Sequence, residues 1–127
     1  MNSLQILQNK AAKFILDKPL YSSSSEALTA LNWKTLEKRR FYHRCLYTYK
    51  CVNGYTDHTM ELLTGGETYS YNLRNKDNLR LPRVVRNWGK HKTCYHAIKD
   101  WNSLPIDIRN SLNISTFKNR FHKFSLE

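Results

Sequence analysis

Seven cations fall between Asn72 and Lys92: Arg74, Lys76, Arg80, Arg83, Arg86, Lys90 and Lys92, opposed by Asp77 alone, a net +6 over 21 residues. Guanidinium and ammonium groups at that density suit phosphates, whose neutralisation releases counterions and makes affinity salt-dependent. A second set, Arg40, Arg44, Tyr47 and Lys50, recurs at steps of three and four. That spacing places them on one side of a helix, where cations hold a nucleic-acid backbone while Tyr47 stacks a base. Trp88 sits among Arg86, Lys90 and Lys92 and is either a core ring or a stacking platform. The plain alternative for the first set is an ordinary solvated basic surface; for the second, a helix face covered by another domain.

Other residue types with reactive chemistry do not assemble into a set. His91-x-x-Cys94-x-His96 carries metal-binding types, but structural zinc takes four ligands, usually with paired cysteines, and Cys45 and Cys51 lie six apart on different helix faces. A metal-dependent nuclease needs clustered carboxylates, whereas Asp100 and Asp107 stand apart, Asp107 suited to a local ion pair with Arg109. Ser103 has no neighbouring base to activate it and suits a helix cap. The expectation is a non-enzyme without metal, cofactor or small-molecule substrate.

Composition narrows the partner. Lys and Arg number 21 against 10 Asp and Glu, a formal charge of +11 with a pI near 9.8, the balance of a protein that meets polyanions. Nucleic acid is the first candidate and an anionic membrane the second. No run approaches the roughly 18 apolar residues that a span requires, and the first residues lack the pattern of a signal peptide, so no membrane partner and an intracellular location, nuclear or cytoplasmic, are expected. Three cysteines are an odd number for a disulfide framework, so reduced thiols are expected. The match of Asn113-Ile114-Ser115 to a glycosylation acceptor is then chance.

The elements that must position these groups read as helices. Leu4, Leu7, Ala11, Phe14 and Ile15 follow Ser3 at helical spacing and stop before Pro19, predicting a first helix that buries this stripe and shows Lys10 and Lys13 to water. Ser25 is placed to cap a short turn through Leu31. Asn32 is read as the N-cap of the longest helix, Trp33 to about Val52, with Tyr42, Cys45, Leu46, Tyr49 and Val52 inward and Asn53-Gly54 as a left-handed stop. Thr56 or Asp57 caps a brief helix through Leu63, ended by Gly65-Gly66, within an acidic stretch of net −3. Leu79-Arg80-Leu81 alternates like a strand. Thr93–Trp101 is read as helix, Trp101-Asn102-Ser103-Leu104-Pro105 as a hinge with Ser103 capping the next turn, and Ser115 as the cap of a last helix with Phe117, Phe121 and Phe124 in a stripe. Trp33 and Trp101 are read as core anchors. The fold class is mainly α: one small helical domain over residues 1–127, with a short β-ribbon around residues 79–96.

In order, these residues resemble the C-terminal region of reverse transcriptases from non-LTR retrotransposons, the LINE-like elements of the jockey and CR1 kind. Leu4-Gln5 through Lys10-Ala11-Ala12-Lys13 is similar to that family's opening helix, and Leu31-Asn32-Trp33-Lys34-Thr35-Leu36 with Arg39-Arg40 to its leucine-tryptophan-leucine-paired-arginine stretch. Tyr49-Lys50 with Asn53-Gly54, Leu73-Arg74, Leu81-Pro82-Arg83, Trp101 to Pro105, Ile108-Arg109 and Phe117-Lys118 follow in the family's order. Where a proline commonly follows the Asn-Gly step, this chain has Asp57. The family's polymerase core carries metal-binding aspartates as an Asp-Asp pair, and the chain contains none. The resemblance therefore implies a non-catalytic region following the palm, similar to a thumb or post-thumb extension, from a 5′-truncated or domesticated element. It also implies RNA or an RNA–DNA duplex as partner, with the polymerase domain of a reverse transcriptase as a second.

Overall fold

The computed structural model describes residues 3–56 and 77–126, and there the chain is mainly helical. It divides into two compact units, residues 1–40 and 41–127. The expected brief helix through Leu63 lies outside the described residues.

In the first unit, α1 (Ser3–Ile15) packs on α2 (Ser24–Ala30) through Ala12, Ala27 and Leu28, with Leu16 and Leu31 at the edge. The side of α1 that turns inward is not its apolar stripe. Gln5, Gln8, Ala12 and Leu16 lie on one face, where Gln5 Oε1 accepts from the Leu36 N–H at 2.8 Å and Gln8 Nε2 donates to the Lys34 carbonyl at 3.0 Å. Small Ala12 admits the close approach of α2, which leaves Leu7, Phe14 (87% exposed) and Ile15 on the outside. Lys13, expected in water, is only 8% exposed, and its Nζ donates to the Leu20 carbonyl at 2.7 Å.

Left-handed residues end three helices. Asp17 (φ 51°), Asn32 (φ 53°) and Gly54 (φ 70°) each follow a helix, and the next amide donates back into the last turn: Lys18 to Lys13, Trp33 to Leu28, and Tyr55 to Lys50, at 2.8–2.9 Å. Gly54 is the stop the sequence predicts. Asn32 is the opposite of its expected role: it closes α2 instead of opening α3. Helix α3 runs Leu36–Val52, with Thr35 Oγ1 accepting from the Lys38 N–H at 3.4 Å. Trp33 thereby falls outside the helix that would have buried it and is 40% exposed, not a core anchor. Caps shift elsewhere too. Ser23, not Ser25, caps α2 through the Glu26 N–H, and Asn113, not Ser115, caps the last helix through the Thr116 N–H at 2.8 Å.

The second unit is built on α3, α4 (Thr93–Ser103), a single turn α5 (Ile106–Arg109) and α6 (Ile114–Phe124). Cys45 and Tyr49 of α3, Ile98 and Trp101 of α4, Leu104, Ile108, and Phe117 and Phe121 of α6 form one buried cluster. Tyr49 and Phe117 stack with ring centroids 4.5 Å apart, and Trp101 lies 6.3 Å from Phe117 at 19°. The Tyr49 hydroxyl donates to the Ser111 carbonyl at 2.7 Å, so this buried ring keeps a polar partner. The hinge holds as expected: Leu104 is extended ahead of Pro105, and Trp101, Leu104 and Ile108 are buried. Ser103 does not cap α5, since its Oγ donates to the Asp100 carbonyl.

The β-ribbon expected around residues 79–96 is absent. Residues 80–84 are unpaired backbone, Asn87–His91 is a 3₁₀ turn, and α4 begins at Thr93. A two-stranded ribbon needs a partner that alternates in the same way, and the sequence after Pro82 does not.

Candidate nucleic-acid interface

The basic run is rooted at Leu79, which is buried in the core of the second unit. Asn102 holds that root from both sides. Its Oδ1 accepts from the Leu79 N–H at 2.9 Å, and its Nδ2 donates to the Leu79 carbonyl at 2.8 Å. One side-chain amide thus does for Leu79 what a neighbouring strand would do. Arg109 steadies the residue before it, donating to Asn78 Oδ1 at 2.9 Å.

From this root, Pro82 to Trp88 bends over the start of α4 and encloses an open groove of about 380 Å³. Its walls include Val84, Val85, Trp88 and Tyr95, and Arg83, Arg86 and Lys92 line it with charge. Gly89 makes the bend tight, for a Cβ there would meet Val84 Cγ1 at 3.0 Å. Trp88 is 65% exposed, which decides between its two readings: it is a surface ring, with Lys92 Nζ 5.8 Å from its centroid. An exposed cation–π contact of this kind is worth only about 0.5–1 kcal/mol, so it holds the ring weakly. No Asn, Gln, Asp, Glu, Ser or Thr is among the residues that line the groove. It therefore offers positive charge and flat apolar surface, and it lacks the side-chain amides and carboxylates that read adenine and cytosine edges.

Of the first cationic set, Arg83, Arg86 and Lys92 come together here, Arg80 and Lys90 are exposed beside them, and Arg74 and Lys76 lie outside the described residues. The second set differs in exposure and partners. Arg40 and Tyr47 are exposed and Lys50 is half-buried. Arg44 instead reaches across to α4, where its Nε meets Asp100 Oδ2 at 2.5 Å, the ion pair among the described residues. This charge-assisted contact with a half-buried carboxylate gives Arg44 a structural role in joining α3 to α4. Asp107 forms no pair with Arg109; its carbonyl accepts from Arg120.

Two participants escape sequence reasoning. Tyr95 shares its helical side with Ile98 and Trp101 in the sequence, yet it is half-buried at the groove rather than in the core. Asn102 gives no periodic signal, because the backbone it holds lies 23 residues earlier.

The cysteines separate by burial: Cys45 and Cys51 are buried, and half-buried Cys94 lines the groove. Burial first, and then the Asp100 carboxylate, push the Cys45 thiol up to about 12. Among the described residues no three His, Cys, Asp or Glu side chains gather as a metal site, and no helix is long and apolar enough to cross a membrane. Comparison with protein-family models, with curated proteins and with solved structures finds no match to the chain.

Proposed function

We propose that this chain is a non-catalytic C-terminal region of a retrotransposon reverse transcriptase that contacts RNA or RNA–DNA duplex through its basic surface, without sequence specificity. The ancestry rests on the ordered motifs from Leu4-Gln5 to Phe117-Lys118. The binding rests on one observation: Arg83, Arg86 and Lys92 line a groove beside an exposed tryptophan. Phosphate neutralisation supplies the affinity and stacking adds to it. Filter binding of RNA across a salt series tests this. Binding at low salt should fall steeply as salt rises, and Arg80, Arg83 and Arg86 changed together to Ala should lower the log–log slope by about two to three. A wild-type protein that holds no RNA at low salt removes the reading.

A second reading, a module that packs on a polymerase domain, is favoured by the first unit, where Leu7, Phe14 and Ile15 of α1 are exposed. Apolar side chains grouped on one helix suit a protein partner better than a polyanion. On that reading the same salt series shows no RNA binding.

A further inference from the structure

We infer that the groove between Trp88 and Tyr95 takes one unpaired base, with Arg83 and Arg86 on its flanking phosphates, so that the protein prefers single-stranded RNA to duplex. The inference rests on the nucleic-acid reading above and sharpens it to a strand type. Trp88 motivates it. The fold buries Trp101 as its central ring, yet leaves Trp88 65% exposed within a basic rim, where packing does not require it. The groove's volume of about 380 Å³ lies within the ~300–1,000 Å³ of small-ligand sites, room for a nucleobase rather than a helix.

The two kinds of strand differ in what they can offer this site. A duplex presents phosphates to Arg83 and Arg86, but its base faces are already stacked on one another and cannot reach Trp88. A single strand presents both at once. The lining also limits discrimination among bases, because it lacks the amides and carboxylates that read adenine and cytosine, its arginines are engaged by the flanking phosphates, and every base has a face to stack. An acidic peptide would satisfy the cations and leave the indole without a planar partner.

Fluorescence anisotropy at fixed salt tests this with labelled oligouridylate and an RNA–DNA duplex of equal length. The wild-type chain should bind the single strand about tenfold more tightly. Trp88→Ala should weaken single-strand binding by about tenfold and leave duplex binding unchanged, whereas Trp88→Phe should keep most of the preference. Because Trp88 is largely exposed, neither variant removes core packing. Equal wild-type binding to both ligands, or a Trp88→Ala loss equal on both, overturns the inference and leaves the basic-surface reading standing. A wild-type chain that binds neither ligand overturns both. Polyglutamate should displace the duplex from the wild-type chain more readily than it displaces oligouridylate; equal displacement overturns the inference, as does polyglutamate that displaces oligouridylate from Trp88→Ala no better than from wild type.

Discussion

Arg44 shows how a single side chain on a helix face can take a partner that its local spacing does not reveal. Its spacing from Arg40, Tyr47 and Lys50 is helical, and α3 forms there, but Asp100 lies 56 residues on and reaches its Nε. Arg44→Ala should therefore lower stability by about 1–3 kcal/mol, seen as a lower urea midpoint, because it strands a half-buried carboxylate, while RNA affinity stays within a factor of two. Loss of affinity without loss of stability would return Arg44 to the interface. The thiols make a second residue-scale prediction. Mass spectrometry after brief alkylation of native protein should find Cys94 labelled ahead of Cys45, and bound RNA should slow the labelling of Cys94, which lines the groove. The Cys45 proton also has a linkage consequence. Unfolded thiols titrate near 9 and this one near 12, so the folded chain holds the proton longer; its stabilising effect is intact below about pH 9 and is lost as pH rises toward 12. Urea midpoints should fall over that window, and less so in Cys45→Ala. Periodicity alone placed Cys45 and Tyr49 in the core, because burial of an α3 stripe is a local property. Ion pairing with a distant carboxylate is not.

At the scale of elements, the hinge from Trp101 to Pro105 does two jobs at once. Trp101 and Leu104 anchor the core, and Asn102 between them clamps the root of the basic run. Asn102→Ala should leave Leu79 N–H and carbonyl without this partner and cost about 1–3 kcal/mol, with faster hydrogen exchange at the Leu79 amide. Asn102→Asp can still accept from that N–H but cannot donate to the carbonyl, so its loss should be smaller at the amide. A Leu79 amide equally protected in both variants would contradict the clamp. Proline and the Asn53-Gly54 stop made the hinge and the end of α3 legible, since each acts on its own backbone. Asn32 is ambiguous from sequence because an asparagine serves either as an N-cap or as a left-handed stop, and only the backbone, with φ 53° at Asn32 and the Trp33 N–H bonded to the Leu28 carbonyl, makes it the stop. The apolar stripe of α1 was legible as a helix but not as a packing face, because Gln5 and Gln8 bonding to residues 34–36 turned another side inward.

For the molecule as a whole, the helical class follows from repeated spacing of apolar residues and was readable throughout. The form of the basic run was not, since Leu79-Arg80-Leu81 has no partner strand among the described residues and the chain bends into a groove instead. A charge of +11 will attract any polyanion, so a binding site in this groove must be told apart from attraction spread over the surface. The direct test compares two variants of equal charge in the RNA salt series: Arg80, Arg83 and Arg86 to Ala, and the exposed Lys10, Lys118 and Lys123 to Ala. The groove variant should lose about two to three units of log–log slope and the other should keep the wild-type slope. Equal losses in both would contradict a local site and leave only diffuse charge.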